Sequence, residues 1–131
     1  MNEPLWLGVE SIVEMHAEQL AIFGGPSGIR DRGLLESACA RPLNRWAYGE
    51  RDLATLSASY AYGLARNHPF IDGNKRIAFF AMVTFLLAND APFRADPNEA
   101  ADIILRLAAG ELTESELADW IRAHLSAPLQ G

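Results

Sequence analysis

Eleven consecutive residues, Ile77 to Leu87, carry one polar side chain, Thr84. The run is too short to cross a membrane, which takes about 20 apolar residues. A helix that is apolar nearly all round must be covered on every side. This stretch therefore predicts the buried centre of a helical domain, and the remaining chain must supply its cover.

The cover is legible as further helices. Val9, Ile12, Val13, His16, Leu20 and Phe23 recur at helical spacing, and Gly24-Gly25-Pro26 ends that pattern. Asp31 can cap a second helix with Leu34, Leu35, Ala38 and Cys39 on its apolar face, ended or followed by Pro42. Residues 43–51 are expected to form a loop carrying Trp46 and Tyr48. Asp52 caps a third helix with Leu53, Leu56, Tyr60 and Leu64 on one face. Pro69 ends it and pushes His68 towards an extended backbone. The buried helix follows from about Lys75 to Ala88, and Asn89-Asp90-Ala91-Pro92 is a turn. Asp96-Pro97-Asn98-Glu99 reads as N-cap, N1 proline and N3 glutamate of a fifth helix bearing Ile103, Ile104 and Leu107, closed by Gly110. Thr113 to Glu116 is a capping box for a sixth, with Leu117, Trp120 and Ile121. Residues 128–131 read as a frayed tail. No stretch alternates with period two. The expected fold is all-α: a compact bundle of about six helices around one buried central helix, with residues 1–131 as one domain.

Composition narrows the function. Half of the residues are hydrophobic, which excludes a disordered chain. The net charge of −6 argues against broad binding to nucleic acid or to a membrane surface. Met1-Asn2-Glu3-Pro4 lacks the basic start of a signal peptide. A single cysteine, Cys39, allows no internal disulfide, in keeping with a reducing cytoplasm. Five arginines fall between Arg30 and Arg51, whereas residues 96–119 are acidic apart from Arg106. Two solvated faces account for this asymmetry, and an anion site bordered by the arginines is the sharper alternative. Lys75 is the only lysine.

The chemistry is concentrated in His68-Pro69-Phe70-Ile71-Asp72-Gly73-Asn74-Lys75-Arg76, at the start of the apolar helix. A helix N-terminus can hold an anion. An imidazole ordinarily titrates near working pH, which makes His68 the natural general base. Asp72 is a hard oxygen ligand suited to Mg²⁺, which takes one or two carboxylates together with phosphate oxygens. Gly73 lets backbone N–H groups approach a phosphate, and Asn74 can donate to one. Lys75 offers a point charge and Arg76 a planar fork. These are the parts of a site for phosphoryl or nucleotidyl transfer, with ATP or a similar nucleoside phosphate as co-substrate. Each residue alone would read as a cap, a core filler or a turn; the full sequence is far less expected by chance.

The stretch resembles the Fic/Doc signature, roughly His-x-Phe-x-Asp/Glu-Gly/Ala-Asn-Gly/Lys-Arg. It matches at His68, Phe70, Asp72, Gly73, Asn74, Lys75 and Arg76. Phe23-Gly24-Gly25, Gly28-Ile29-Arg30-Asp31, Gly33-Leu34-Leu35-Glu36-Ser37-Ala38, Arg41-Pro42, Tyr48-Gly49-Glu50 and Ala108-Ala109-Gly110-Glu111 look like the Doc (death-on-curing) branch. The resemblance implies a Fic-type helical bundle. His68 would deprotonate a hydroxyl of a target protein, Phe70 would anchor the loop, and Asp72 would hold Mg²⁺. Gly73, Asn74, Lys75 and Arg76 would hold the phosphates of ATP. Typical Fic enzymes transfer AMP and carry Gly where this chain has Lys75, with a second Arg three residues after the first. That later position is Phe79 here, so the second Arg is missing; this looks like Doc, which transfers the γ-phosphate to elongation factor Tu and stops translation. The resemblance also implies a separate Phd-like antitoxin, and no self-inhibitory Ser/Thr-x-x-x-Glu-Gly/Asn motif is found. AMP transfer is the first alternative and a non-enzymatic binding module the second.

Other residues read more plainly. Gly24-Gly25-Pro26-Ser27-Gly28 lacks the Gly-Lys-Ser/Thr ending of a P-loop and reads as a helix-ending turn, although it could edge the active site. His16 lies on an apolar stripe and reads as a satisfied core histidine. Cys39 reads as a small buried hydrophobe. Trp46 and Tyr48 fit loop packing at least as well as target contact, His124 suggests nothing specific, and no spacing suggests zinc.

Overall fold

The computed structural model describes residues 2–126. They form six helices: α1 (Val9–Phe23), α2 (Arg32–Ala47), α3 (Leu53–Asn67), α4 (Asn74–Ala88), α5 (Pro97–Ala108) and α6 (Glu114–Ala123). Among the described residues there is no strand, only two isolated antiparallel bridges, Ile29 to Phe70 and Phe93 to Leu125. The frayed tail expected at 128–131 lies outside the described residues.

The central helix is α3, which touches α2, α4, α5 and α6. This corrects the expectation that α4 lies at the centre. Ala58, Tyr60, Ala61, Leu64 and Ala65 of α3 are fully buried. Small residues let the neighbours close in: a Cβ added at Gly63 would stand 3.0 Å from the Cα of Ala38 on α2. Helix α4 buries one face, Ile77, Ala78, Ala81, Met82 and Phe85, and leaves Phe80 and Leu87 exposed.

The remaining boundaries follow local chemistry, with two exceptions. Asp31 accepts from the Leu34 N–H, Asp96 from those of Asn98 and Glu99, and Thr113 with Glu116 forms the full capping box. Asp52 stands at the N-cap of α3 without a backbone cap bond; its Oδ2 accepts instead from the Thr55 hydroxyl at 3.0 Å and pairs with Arg122 of α6. Pro42 neither ends nor follows α2 but lies inside it, and the expected loop at 43–51 is helical as far as Ala47. An interior proline costs a helix about 3 kcal/mol. Contacts beyond α2 hold this last stretch: Arg41 and Arg45 both pair with Glu114 of α6, and the Arg51 guanidinium lies 3.8 Å over the Trp46 ring.

Cys39 is buried, and burial, helped by Glu36, pushes its thiol up to about 11. It is the inert core residue expected. No helix among the described residues is long and apolar enough to cross a membrane.

Candidate active site

The bundle brings residues 68–76 to one lip, where α3 ends and α4 begins. Phe70 anchors that lip and is only 1% exposed. Its ring stacks on His16 of α1, with centroids 3.7 Å apart and planes 9° from parallel. The Nε2 of His16 bonds to the Asp72 carbonyl at 2.7 Å. A carbonyl only accepts, so this nitrogen carries the proton. His16 is therefore buried and satisfied, as expected, but its partner is the motif itself, which helical spacing alone could not reveal.

Asn74 locks the loop from the other side. Its Oδ1 accepts from the Phe70 N–H at 2.9 Å, and its Nδ2 donates to the Phe70 carbonyl at 2.9 Å. The same Nδ2 stands 3.2 Å from Nδ1 of His68. An amide N–H donates, so Nδ1 accepts and the neutral ring carries its hydrogen on Nε2. Taking up a proton at Nε2 requires the other tautomer. The expectation that Asn74 contacts phosphate is thus joined by a second role, since the side chain is already engaged in holding Phe70.

His68 is exposed and caps α3 in the left-handed region, with φ 50° and ψ 54°. This corrects the extended backbone expected before Pro69. A left-handed residue other than glycine costs about 1–2 kcal/mol. The conformation is held by the loop from Gly24 to Asp31. The Arg30 and Asp31 N–H groups donate to the Pro69 carbonyl at 2.7 and 3.0 Å, and the Ile71 N–H donates to the Gly28 carbonyl at 3.1 Å. Two glycines let this loop lie close. A Cβ at Gly25 would stand 2.5 Å from the Asp72 Oδ2, and one at Gly28 would stand 2.9 Å from the Ile71 side chain. The glycine-rich stretch thus does edge the site.

Gly73 is left-handed at φ 78° and opens α4 without a side-chain cap. The first N–H groups of α4 are therefore available to an anion. Lys75 and Asp72 are exposed beside them, and Arg76 is half-buried. The Arg76 guanidinium stacks 5.1 Å over the Phe23 ring, and its buried Nε finds no protein partner. No cluster of three His, Cys, Asp or Glu side chains forms a metal cage among the described residues. A lone exposed carboxylate such as Asp72 suits an ion that draws most of its shell from phosphate oxygens and water. The lip unites an imidazole, a carboxylate, two cations and a helix N-terminus.

The sequence profile of the Fic/DOC family matches residues 6–86, which include every one of these residues. The chain belongs to the Fic/DOC family. Protein kinase doc of Escherichia phage P1 is 36% identical over 114 residues, covering 86% of this chain and 90% of that protein. Toxin Doc of Mycolicibacterium smegmatis is 35% identical over 114 residues, covering 83% of this chain and 87% of that protein.

In this Fic/DOC chain an apolar groove of about 930 Å³ runs from the lip along α4 and α5. Phe79, Phe80, Val83, Phe93, Ile104 and Leu105 line it, with Lys75, Arg76 and Arg94 at its polar margin. Phe79 meets Phe93 edge to face, with ring centroids 6.2 Å apart. A second cleft, of about 650 Å³, lies beside Arg41, Arg45 and Tyr48 and contains none of the motif residues. Both of its arginines are engaged by Glu114. Arg30 and His16 are the site residues that motif reading passed over. Neither belongs to the nine-residue signature, and only the packing of α1 and its following loop brings them to it.

Proposed function

We propose that this chain is a Doc-like toxin of a toxin–antitoxin pair. It transfers the γ-phosphate of ATP to a hydroxyl of a translation factor, elongation factor Tu, and arrests translation in the cytoplasm. The observation that carries the choice of phosphate over AMP is Phe79. It occupies the position of the second arginine of AMP-transferring relatives and turns into the apolar groove beside Phe93. That turn of α4 therefore offers a nucleotide no second guanidinium, and Lys75 supplies charge on the lip instead. The phage P1 relative is named as a protein kinase, which supports the same reading.

In this mechanism the Nε2 of His68 takes the proton of the target hydroxyl once the ring hydrogen sits on Nδ1. The hydroxyl oxygen bonds to the γ-phosphorus, the bond to the β–γ bridging oxygen breaks, and ADP leaves with that electron pair. Gly73 and the α4 N-terminus receive the phosphate chain, with Asn74, Lys75 and Arg76 around it. Mg²⁺ held at Asp72 would neutralise charge on the polyphosphate. A Phd-like antitoxin in trans would restrain the enzyme. The groove beside Arg76 supports such a partner, because it leaves large apolar side chains facing solvent next to the catalytic lip.

The test is parallel labelling of a cell extract with γ- or α-labelled ATP and Mg²⁺. Label from the γ position only, on a protein the size of elongation factor Tu, is the expected result. Label from the α position would establish AMP transfer instead, and no label from either would favour a binding module.

A further inference from the structure

We infer that Arg30 is a positioning residue for His68; the inference rests on the catalytic role given to His68 above. Three donors of this one residue engage three consecutive carbonyls around the base. Its Nη2 donates to Asn67 at 2.8 Å, its Nε to His68 at 2.6 Å and its backbone N–H to Pro69 at 2.7 Å. The carbonyls of a helix C-terminus lack partners within the helix and carry partial negative charge, so a guanidinium fork suits them.

Geometry gives the clamp its consequence. His68 stands in a left-handed conformation that an L side chain rarely adopts, immediately before a proline. Backbone rotation at His68 would swing the imidazole away from Asn74 and the α4 N-terminus. That rotation would also move the His68 carbonyl off the Arg30 Nε. Arg30 itself is exposed and hydrogen-bonds to backbone carbonyls, not to the motif side chains. It therefore orders the base without contributing to the core. Lys75 and Arg76 are carried by the first turn of α4, which is placed by the left-handed Gly73 and by the bonds of Asn74 and His16 to the loop rather than by Arg30. Arg30 should accordingly affect turnover and leave nucleotide affinity alone.

The test compares the full-length wild type with Arg30→Ala and Arg30→Lys. Initial rates of transfer from labelled ATP are measured with thermal unfolding and the imidazole NMR signals of His68. The expected result for Arg30→Ala is a fall in kcat of about 10–100-fold with KM for ATP within about twofold, because a misplaced reacting group costs rate more than binding. The His68 ring signals shift, and Arg30→Lys, which keeps one donor point, recovers part of the rate. An Arg30→Ala protein with unchanged kcat and unmoved His68 signals would overturn the inference. So would a loss of rate that merely tracks the unfolded fraction, since that describes an ordinary helix-end bond. If the wild type transfers neither label, the phosphotransfer reading falls, and the His68 ring signals of Arg30→Ala still decide whether the clamp exists.

Discussion

Helices α3 and α4 are consecutive and each fifteen residues long, yet they solve opposite problems. The less apolar of the two lies at the centre. Helix α3 buries ten residues, among them Ser57, Ser59 and Gly63, whereas α4, built from larger apolar side chains, buries seven. Small residues win the centre because they let neighbouring backbones approach. The Ser57 hydroxyl costs little there, since it donates to the Ala54 carbonyl of its own helix at 2.9 Å. The bulky residues of α4 face two ways. One face fills the core, and the other is the wall of the groove beside the lip that carries residues 68–76. Apolar character beyond what the core needs leaves Phe80 and Leu87 of α4 exposed to solvent.

The largest effects should fall on α3. Leu64→Ala empties a fully buried position and should cost about 2–5 kcal/mol in a denaturant titration. Leu87→Ala on the outer side of α4 should stay within about 0.5 kcal/mol. Equal losses at the two sites would erase the distinction between the helices.

Next comes the joint between them. Asn74→Ala removes both hydrogen bonds to Phe70 in a buried setting, and each unmatched group costs about 1–3 kcal/mol. The protein should lose stability and transferase activity together, in contrast to Arg30→Ala. A stable but inactive Asn74→Ala would assign the residue to the phosphates alone.

A smaller effect concerns the other end of α3. Burial raises the Asp52 carboxyl, but the Arg122 hydrogen bond and charge, with the Thr55 hydroxyl, outweigh it and hold its pKa below the ordinary value. Its contribution is present above the unfolded carboxylate pKa of about 3.9 and is lost as pH falls from there through the lowered folded value. A partly exposed pair of this kind is worth about 0.2–1 kcal/mol. Asp52→Asn should remove that much at pH 7 and flatten the acid limb of a stability-against-pH curve. Smallest in stability is Phe80→Ser, on the groove side of α4, expected within about 0.5 kcal/mol of wild type. Its measurable effect should be weaker antitoxin binding in a titration. Unaltered binding would move the antitoxin elsewhere.

Most helix boundaries were legible because caps and glycines act locally: Asp31, Asp96 and the Thr113–Glu116 box do what their sequence pattern implies. The candidate motif was legible because its polar residues lie in one contiguous stretch, 68–76. Three features were not. Pro42 carries a local stop signal that Glu114, seventy-two residues later, overrides through Arg41 and Arg45. His68 adopts a left-handed backbone before a proline, and the Arg30 donor to its carbonyl comes from another loop that local sequence does not bring to it. The order of burial between α3 and α4 depends on side-chain size across an interface, which a count of apolar residues does not contain.

On the proposed function, the lip performs the chemistry while α3 and its cover hold the fold. The most direct measurement is phosphoryl transfer by His68→Ala alongside its thermal unfolding. His68 is exposed, so His68→Ala should unfold at a midpoint close to that of wild type, with γ-label transfer abolished. A folded His68→Ala protein that still transfers label would contradict it.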